Sequence, residues 1–148
     1  MAENPFASYT IEVPKNYAED IKKYCQTAGG KITHEYAPFE RQVDFWYMSF
    51  IYAVANKLQP VPEKETRNIT PASILSTNAF RITHIQLAFL AHNESIEELA
   101  NHRRVFEYAM GMANAGIPYL LQILSDQDDK PLWSLLDYVE KQLHQSAS

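Results

Sequence analysis

Glycine is scarce in this chain, with four among 148 residues. None of the four fits the phosphate loop Gly-x-x-x-x-Gly-Lys or the dinucleotide-binding turn Gly-x-Gly-x-x-Gly. The Gly-x-Ser-x-Gly elbow of serine hydrolases is missing as well. Sandwiches and barrels with many turns use more glycine than this. The glycine content therefore argues against nucleotide-driven chemistry of those types and against an all-β fold.

Cysteine, long apolar runs and excess positive charge are also lacking. Cys25 is the single cysteine, so no intramolecular disulfide can form. The longest largely apolar stretch, 45–55, is too short to span a bilayer, and the first residues lack the pattern of a signal peptide. We therefore expect a cytoplasmic protein that does not enter a membrane. The net charge of −5 argues against direct binding of nucleic acid, although it leaves a local basic patch open.

Apolar residues at helical spacing fill most of the chain. Two segments, about 39–58 and 79–92, are apolar nearly all round, which is typical of helices enclosed by others. Other helices are expected over 15–28, 95–114 and 119–125, and from Pro131 onwards. We predict an all-α fold, a compact bundle of five to six helices around the two apolar segments, as a single domain over 9–145 after a flexible N-terminus of residues 1–8. Residues 9–13 alternate apolar and polar, which fits a short strand or an extended arm.

Turn and capping residues give the expected helix ends. Gly29 and Gly30 are expected to stop the first helix. Thr70-Pro71 resembles a helix start, after a loop over 59–68. The Ser95 to Glu98 spacing predicts a capping box, and the helix that it opens is expected to end at Ala115-Gly116.

Three histidines and a glutamate form a weak candidate metal set, His84, His92, Glu98 and His102. The Glu-x-x-His and His-x-x-x-His spacings of helical metal sites are absent. We therefore predict no metal and no cofactor. A small enzyme with a helical His/Glu site stays as an alternative.

Two further motifs favour structural roles. Cys25 lies on the apolar side of its helix, so we expect a buried packing residue instead of a reactive thiol. Asp126, Asp128 and Asp129 suggest calcium, but the central glycine and the distant glutamate of a calcium loop are missing. We expect an acidic, solvated turn there.

A helix-turn-helix reading of 79–92 followed by the helix from Ser95 is also open. Its second helix would place Glu97 and Glu98 at the start, where they repel phosphates, while Arg103 and Arg104 come later. This gives a second alternative, an accessory subunit of a nucleic-acid-processing complex of the defence or modification type.

Aromatic residues reach 12%, including nine tyrosines, and aromatic and arginine side chains are enriched at protein interfaces. The leading hypothesis is a non-catalytic protein-interaction module, a small accessory subunit of a cytoplasmic assembly with a protein partner or as a homo-oligomer. Its candidate partner-binding residues are Tyr47, Tyr52, Arg103, Arg104 and Trp133.

Overall fold

The computed structural model describes residues 3–26, 32–126 and 128–147. Its elements, in chain order, are strand β1 (Thr10–Pro14), a 3₁₀ turn (Lys15–Tyr17), α1 (Ala18–Lys23), α2 (Gln42–Ala55), strand β2 (Thr66–Pro71), a 3₁₀ helix (Ala72–Asn78), α3 (Phe80–Asn93), a 3₁₀ turn (Glu97–Ala100), α4 (His102–Leu124) and α5 (Pro131–Ala147). The mostly helical character is confirmed. Within the described ranges, no helix is long and apolar enough to cross a membrane.

A small antiparallel sheet corrects the all-α prediction. β1 pairs with β2 in a register that runs from Thr10 opposite Pro71 to Pro14 opposite Thr66, with an irregularity between Ile11 and Glu12. The strand reading of 9–13 is confirmed, but its partner falls partly in the predicted loop. Residues of β2 are all half-buried or exposed, so the strand lacks the regular apolar alternation that predicts one. Pro71 ends β2 and precedes the 3₁₀ helix.

The centre of the core is the packing of α2 against α4. From α2, Phe45, Trp46 and Phe50 are fully buried. At Gly116 of α4, an added Cβ would overlap the backbone carbonyl of Ser49 in α2. The glycine therefore allows the two helix backbones to approach more closely than any side chain would permit. A helix within the predicted range 39–58 is confirmed, and it is the shorter α2.

Helix α4 is longer at its C-terminal end than predicted. It was expected to stop at Ala115-Gly116, but it continues through Pro118 to Leu124. Pro118 removes one backbone N–H donor, whereas the turns around it bury Ile117, Leu120 and Leu124. Burial of these side chains outweighs the lost hydrogen bond, so the glycine and the proline do not end the helix.

The start of α4 also differs from the prediction. Ser95 Oγ donates to the Glu97 carboxylate, and the residues that follow form a 3₁₀ turn. The helix begins at His102, where the Asn101 side chain accepts a hydrogen bond from the backbone N–H of Arg104 at 3.2 Å. The spacing of Ser95 and Glu98 therefore does not start a helix here, because Asn101 caps the helix instead.

Helix α3 is not one of two largely buried helices, which corrects the predicted bundle centre. It buries Ile82, Ile85, Ala88 and Phe89, whereas other apolar side chains remain exposed. The apolar pattern of 79–92 predicted that this helix lies at the centre of the domain. In the structure, α4 has that position instead. The position of the helix is otherwise close to the prediction.

The N-terminal segment packs on the domain. Phe6 is fully buried, and Asn4 Nδ2 donates to the Ala72 carbonyl at 3.0 Å. These residues fall in the segment expected to be flexible. Helix α1 covers only the middle of the predicted helix over 15–28, and its expected stop at Gly29-Gly30 lies outside the described residues.

Candidate functional site

An uncovered side of α3 is the most distinctive surface of the structure. Phe80, Thr83, Leu87 and Ala91 follow one another at helical spacing and are all exposed. We call these four residues the α3 face. Phe80 is 62% exposed and Leu87 is 60% exposed, and they are two helical turns apart. The domain therefore leaves a strip of large apolar side chains uncovered.

Charged side chains are absent from the whole middle of α3. Between Arg81 and Glu94 the sequence has no Asp, Glu, Lys or Arg. A helix with this composition is normally enclosed by other elements. Here the domain covers one side of α3 and leaves the other side exposed to solvent. The sequence pattern had predicted a helix that is buried nearly all round.

A hydrogen-bonded pair supports the α3 face from beneath. The Tyr47 hydroxyl lies 2.6 Å from His84 Nδ1. Burial lowers the pKa of His84 below its ordinary value of 6.5 and raises the pKa of Tyr47, with a smaller opposite effect from Arg81. The lowered pKa favours a neutral imidazole, and either the hydroxyl or the ring N–H can be the donor in this bond. The Arg81 guanidinium lies 4.6 Å from the centre of the Tyr47 ring and pairs with Asp44 at 2.9 Å.

Tyrosines predicted to bind a partner are mainly occupied within the domain. Tyr47 is only 7% exposed, so it fixes α2 to α3. Tyr52 lies against Tyr119 and Tyr138, with ring centres 5.4 and 5.6 Å away. This cluster joins α2, α4 and α5, and it accounts for Tyr52 without a partner.

Both predicted arginines have partners within the described chain. The Arg103 guanidinium lies 5.5 Å from the centre of the Tyr9 ring, and Arg104 pairs with Glu98 at 2.7 Å. Trp133 differs from them because it is 47% exposed. It shares an outer side of α5 with two other exposed apolar residues, Leu136 and Leu143.

The candidate metal residues do not form a site within the described ranges. No group of three or more histidine, cysteine, aspartate or glutamate side chains there could hold a metal ion. His84 is bonded to Tyr47, the ring of His92 lies 5.1 Å from that of Tyr108, and Glu98 pairs with Arg104. His102 is exposed at the start of α4.

Cys25 is fully buried, as predicted. Its thiol donates to the Ile21 carbonyl at 3.3 Å. Burial, helped by the negative charge of Asp44, raises the pKa of Cys25 to about 12. A thiol with such a pKa is protonated at neutral pH and is a poor nucleophile.

The acidic turn closes on itself. Asp126 Oδ1 accepts from the backbone N–H of Asp128 at 3.0 Å, and Asp129 Oδ1 accepts from that of Lys130 at 2.8 Å. These carboxylates cap the turn before α5, in keeping with the structural reading of the motif.

Comparisons with protein-family models, curated proteins and solved structures gave no match. Function must therefore be argued from the geometry alone. Sequence reasoning missed Phe80 and Leu87, since both fall in a segment whose pattern predicts burial. The sequence feature that points to them is the run of residues without charge between Arg81 and Glu94, because the domain covers only one side of this helix.

Proposed function

We propose that the protein is a non-catalytic interaction module, a small subunit of a cytoplasmic assembly, which pairs with a second copy of itself through the α3 face. The observation that carries the proposal is the exposure of Phe80 and Leu87 on a side of α3 that has no charged residue. Single exposed apolar residues are ordinary. Exposed apolar residues grouped on one uncharged helix face are typical of a protein contact.

The energetic gain comes from the two large side chains. Full burial of a phenylalanine or a leucine is worth about 1.5–3 kcal/mol relative to exposure. In a symmetric pair, Phe80 and Leu87 of each copy contribute, and the absence of charges on the α3 face means that few groups lose favourable hydration. The α3 face therefore supplies the centre of an interface.

Charge and size favour a second copy as the occupant. In an antiparallel pairing of two α3 helices, Phe80 of one copy lies opposite the small Ala91 of the other, and His84 lies opposite Leu87. The first turn of α3 has no acidic residue, and Glu94 follows its last turn. Antiparallel pairing thus sets the positive end of each helix beside the negative end of the other.

The experiment is a measurement of mass in solution by sedimentation equilibrium. We expect twice the chain mass of 17.0 kDa for the wild type, and the single mass for Leu87→Ser and for Phe80→Ser. The matched control is Leu143→Ser, which removes a similarly exposed leucine from α5 and should leave the dimer intact. Circular dichroism verifies that each variant is folded.

Two results would contradict the proposal. A wild type that stays monomeric at the highest soluble concentration excludes the second copy, even if a different protein then binds to α3. A dimer that survives Leu87→Ser and is lost in Leu143→Ser places the interface on α5 instead.

The two alternatives gain less support. A nucleic-acid contact would use Arg103 and Arg104, but Tyr9 and Glu98 already engage them. A helical His/Glu enzyme would need these side chains close together, and no group of three or more metal-binding side chains is found among the described residues.

A further inference from the structure

His84 lies on the same side of α3 as the α3 face. It comes four residues after Phe80 and three residues before Leu87, so helical spacing sets its Cα between theirs. The side chain is half-buried, and its ring centre lies 5.6 Å from that of Tyr47 and 5.3 Å from that of Phe50, both in α2. A second copy that covers Phe80 and Leu87 therefore covers His84 as well.

The two ring nitrogens of His84 have different surroundings. Nδ1 lies 2.6 Å from the Tyr47 hydroxyl, on the inner side. Within the described residues, no hydrogen bond is found for Nε2, and this atom is not one of the unpaired polar atoms that are shielded from solvent. Nε2 is therefore open to water in a single copy. In the antiparallel pairing, Leu87 of the other copy lies opposite His84 and replaces that water.

The charged groups beside His84 leave no partner for a proton on its ring. Arg81 of α3 is itself cationic, and it engages the carboxylate of Asp44 at 2.9 Å. The second oxygen of Asp44 accepts from the backbone N–H of Arg41 at 3.1 Å. Tyr47 is the other titratable group at the ring, and burial raises its pKa, so it stays neutral. In the part of the chain that the structure describes, no carboxylate forms an ion pair with His84.

The other elements packed against α3 bring no compensating charge. The 3₁₀ helix Ala72–Asn78 has no titratable residue. Helix α4 meets α3 through Tyr108, whose ring lies beside that of His92, two turns beyond His84. The two glutamates of the turn Glu97–Ala100 bond to an arginine and to a serine. A proton on His84 therefore remains an unpaired positive charge at the α3 face.

We infer that pairing through the α3 face is switched by the protonation of His84, so that the dimer forms while both imidazoles are neutral and dissociates in acid. Covering a charged group with apolar side chains costs far more than covering a neutral one. Two-fold symmetry brings two such groups to one interface. This inference rests on the proposed pairing and adds its regulation.

The direction of the effect follows from the protons bound in each state. Burial lowers the pKa of His84 below 6.5 already in a single copy, and a covering copy lowers it further. Between these two pKa values a single copy binds a proton that the dimer does not bind, so acid favours dissociation. Because each dimer takes up two protons, the dissociation constant rises by up to about a hundredfold per pH unit there.

The test is sedimentation equilibrium of the full chain between pH 7.5 and pH 5.0. We expect the dissociation constant of the wild type to rise roughly tenfold or more as the pH falls, while circular dichroism verifies that the protein stays folded. Ordinary repulsion predicts the opposite trend. The net charge of −5 approaches zero near the pI of about 5.5, so two copies repel one another less in acid.

Variants separate His84 from every other titrating group. His84→Asn and His84→Gln keep a polar side chain that does not titrate, and in both the dissociation constant should stay constant or fall as the pH drops. A second measurement does not depend on how well these variants fold. In a nuclear magnetic resonance titration, the pKa of His84 should be lower in the wild-type dimer than in the monomeric Leu87→Ser.

The outcomes distinguish the switch from the pairing on which it rests. A wild type that is monomeric at pH 7.5 contradicts the pairing, and the switch with it. A dimer at pH 7.5 whose dissociation constant does not rise in acid contradicts the switch alone. An equal rise in His84→Asn and His84→Gln does so too, as does an equal pKa of His84 in the wild type and in Leu87→Ser.

Discussion

The hydrogen bond between Tyr47 and His84 joins α2 to the helix that carries the α3 face. Either group can be the donor in it, the Tyr47 hydroxyl to a bare Nδ1 or an Nδ1–H to the hydroxyl oxygen. Burial lowers the pKa of His84. The guanidinium of Arg81 lies over the ring of Tyr47 and is paired with Asp44. Neutral His84 is therefore the form that the folded protein prefers.

This preference predicts a loss of stability in acid. The unfolded chain takes up a proton on His84 near pH 6.5, whereas the folded chain does so only at lower pH, so the unfolded state binds more protons in between. The contribution of His84 is fully present above pH 6.5, and it falls as the pH drops from there through the folded pKa. Chemical denaturation at a series of pH values measures this change in the free energy of unfolding.

Variants separate His84 from other titrating groups. His84→Asn retains a side-chain acceptor that does not titrate, and it should flatten the pH dependence below 6.5. Tyr47→Phe should cost about 1 kcal/mol at pH 7.5, the usual worth of one hydrogen bond. An unchanged pH dependence in His84→Asn would show that the loss of stability in acid does not come from His84.

Helices α2 and α4 approach each other closely at Gly116. A Cβ at this position would overlap the Ser49 carbonyl of α2, and neither helix backbone can move without opening the core. We expect Gly116→Ala to destabilise the protein by about 3 kcal/mol, at the upper end of the usual cost of overpacking. Thermal and chemical denaturation measure the effect.

Gly111→Ala is the matched control in the same helix. Its Cβ would lie 2.8 Å from Pro60 Cβ, a smaller overlap than the 2.0 Å between a Cβ at Gly116 and the Ser49 carbonyl oxygen, and Pro60 belongs to a loop instead of a core helix. The substitution should therefore cost less than Gly116→Ala. Equal costs would mean that α2 and α4 adjust their separation as easily as the loop does.

Elements whose patterns agree with their burial could be predicted from the sequence. α2 lies inside the predicted range, and α5 starts at the predicted Pro131, because a continuous apolar pattern and a proline act locally. β2 could not be predicted, since its side chains are half-buried or exposed and its pairing with β1 depends on residues more than 50 positions away. The predicted end of α4 was wrong because Gly116 is required by the close contact with α2, and a contact with a distant helix cannot be seen in the local sequence.

The candidate site was less predictable than the fold. Partner binding was predicted for Tyr47 and Tyr52 because aromatic residues are enriched at protein interfaces. In the structure, both side chains make their contacts inside the domain. Phe80 and Leu87 have the same apolar pattern as buried residues, so only the packing of the whole chain shows that they are exposed.

At the scale of the whole molecule, the net charge opposes dimerisation and the α3 face favours it. Each copy has a net charge of −5, so two copies repel one another over the Debye length, which is about 30 Å at 0.01 M salt and about 8 Å at 0.15 M. The contact itself contains no charged residue of the α3 face. Attraction between the helix ends is worth about 0.3–1 kcal/mol each and falls off within one turn.

These distances decide how the proposed dimer responds to salt. Added salt screens the long-range repulsion more than it weakens the apolar contact, so dimerisation should tighten or stay constant as ionic strength rises from about 0.01 to 0.15 M. Sedimentation equilibrium at both ionic strengths measures the dissociation constant, and the thermal midpoint should rise with protein concentration because association stabilises the folded state. A dimer that dissociates on adding salt would have an interface held by ion pairs, and the uncharged α3 face could not then be its centre.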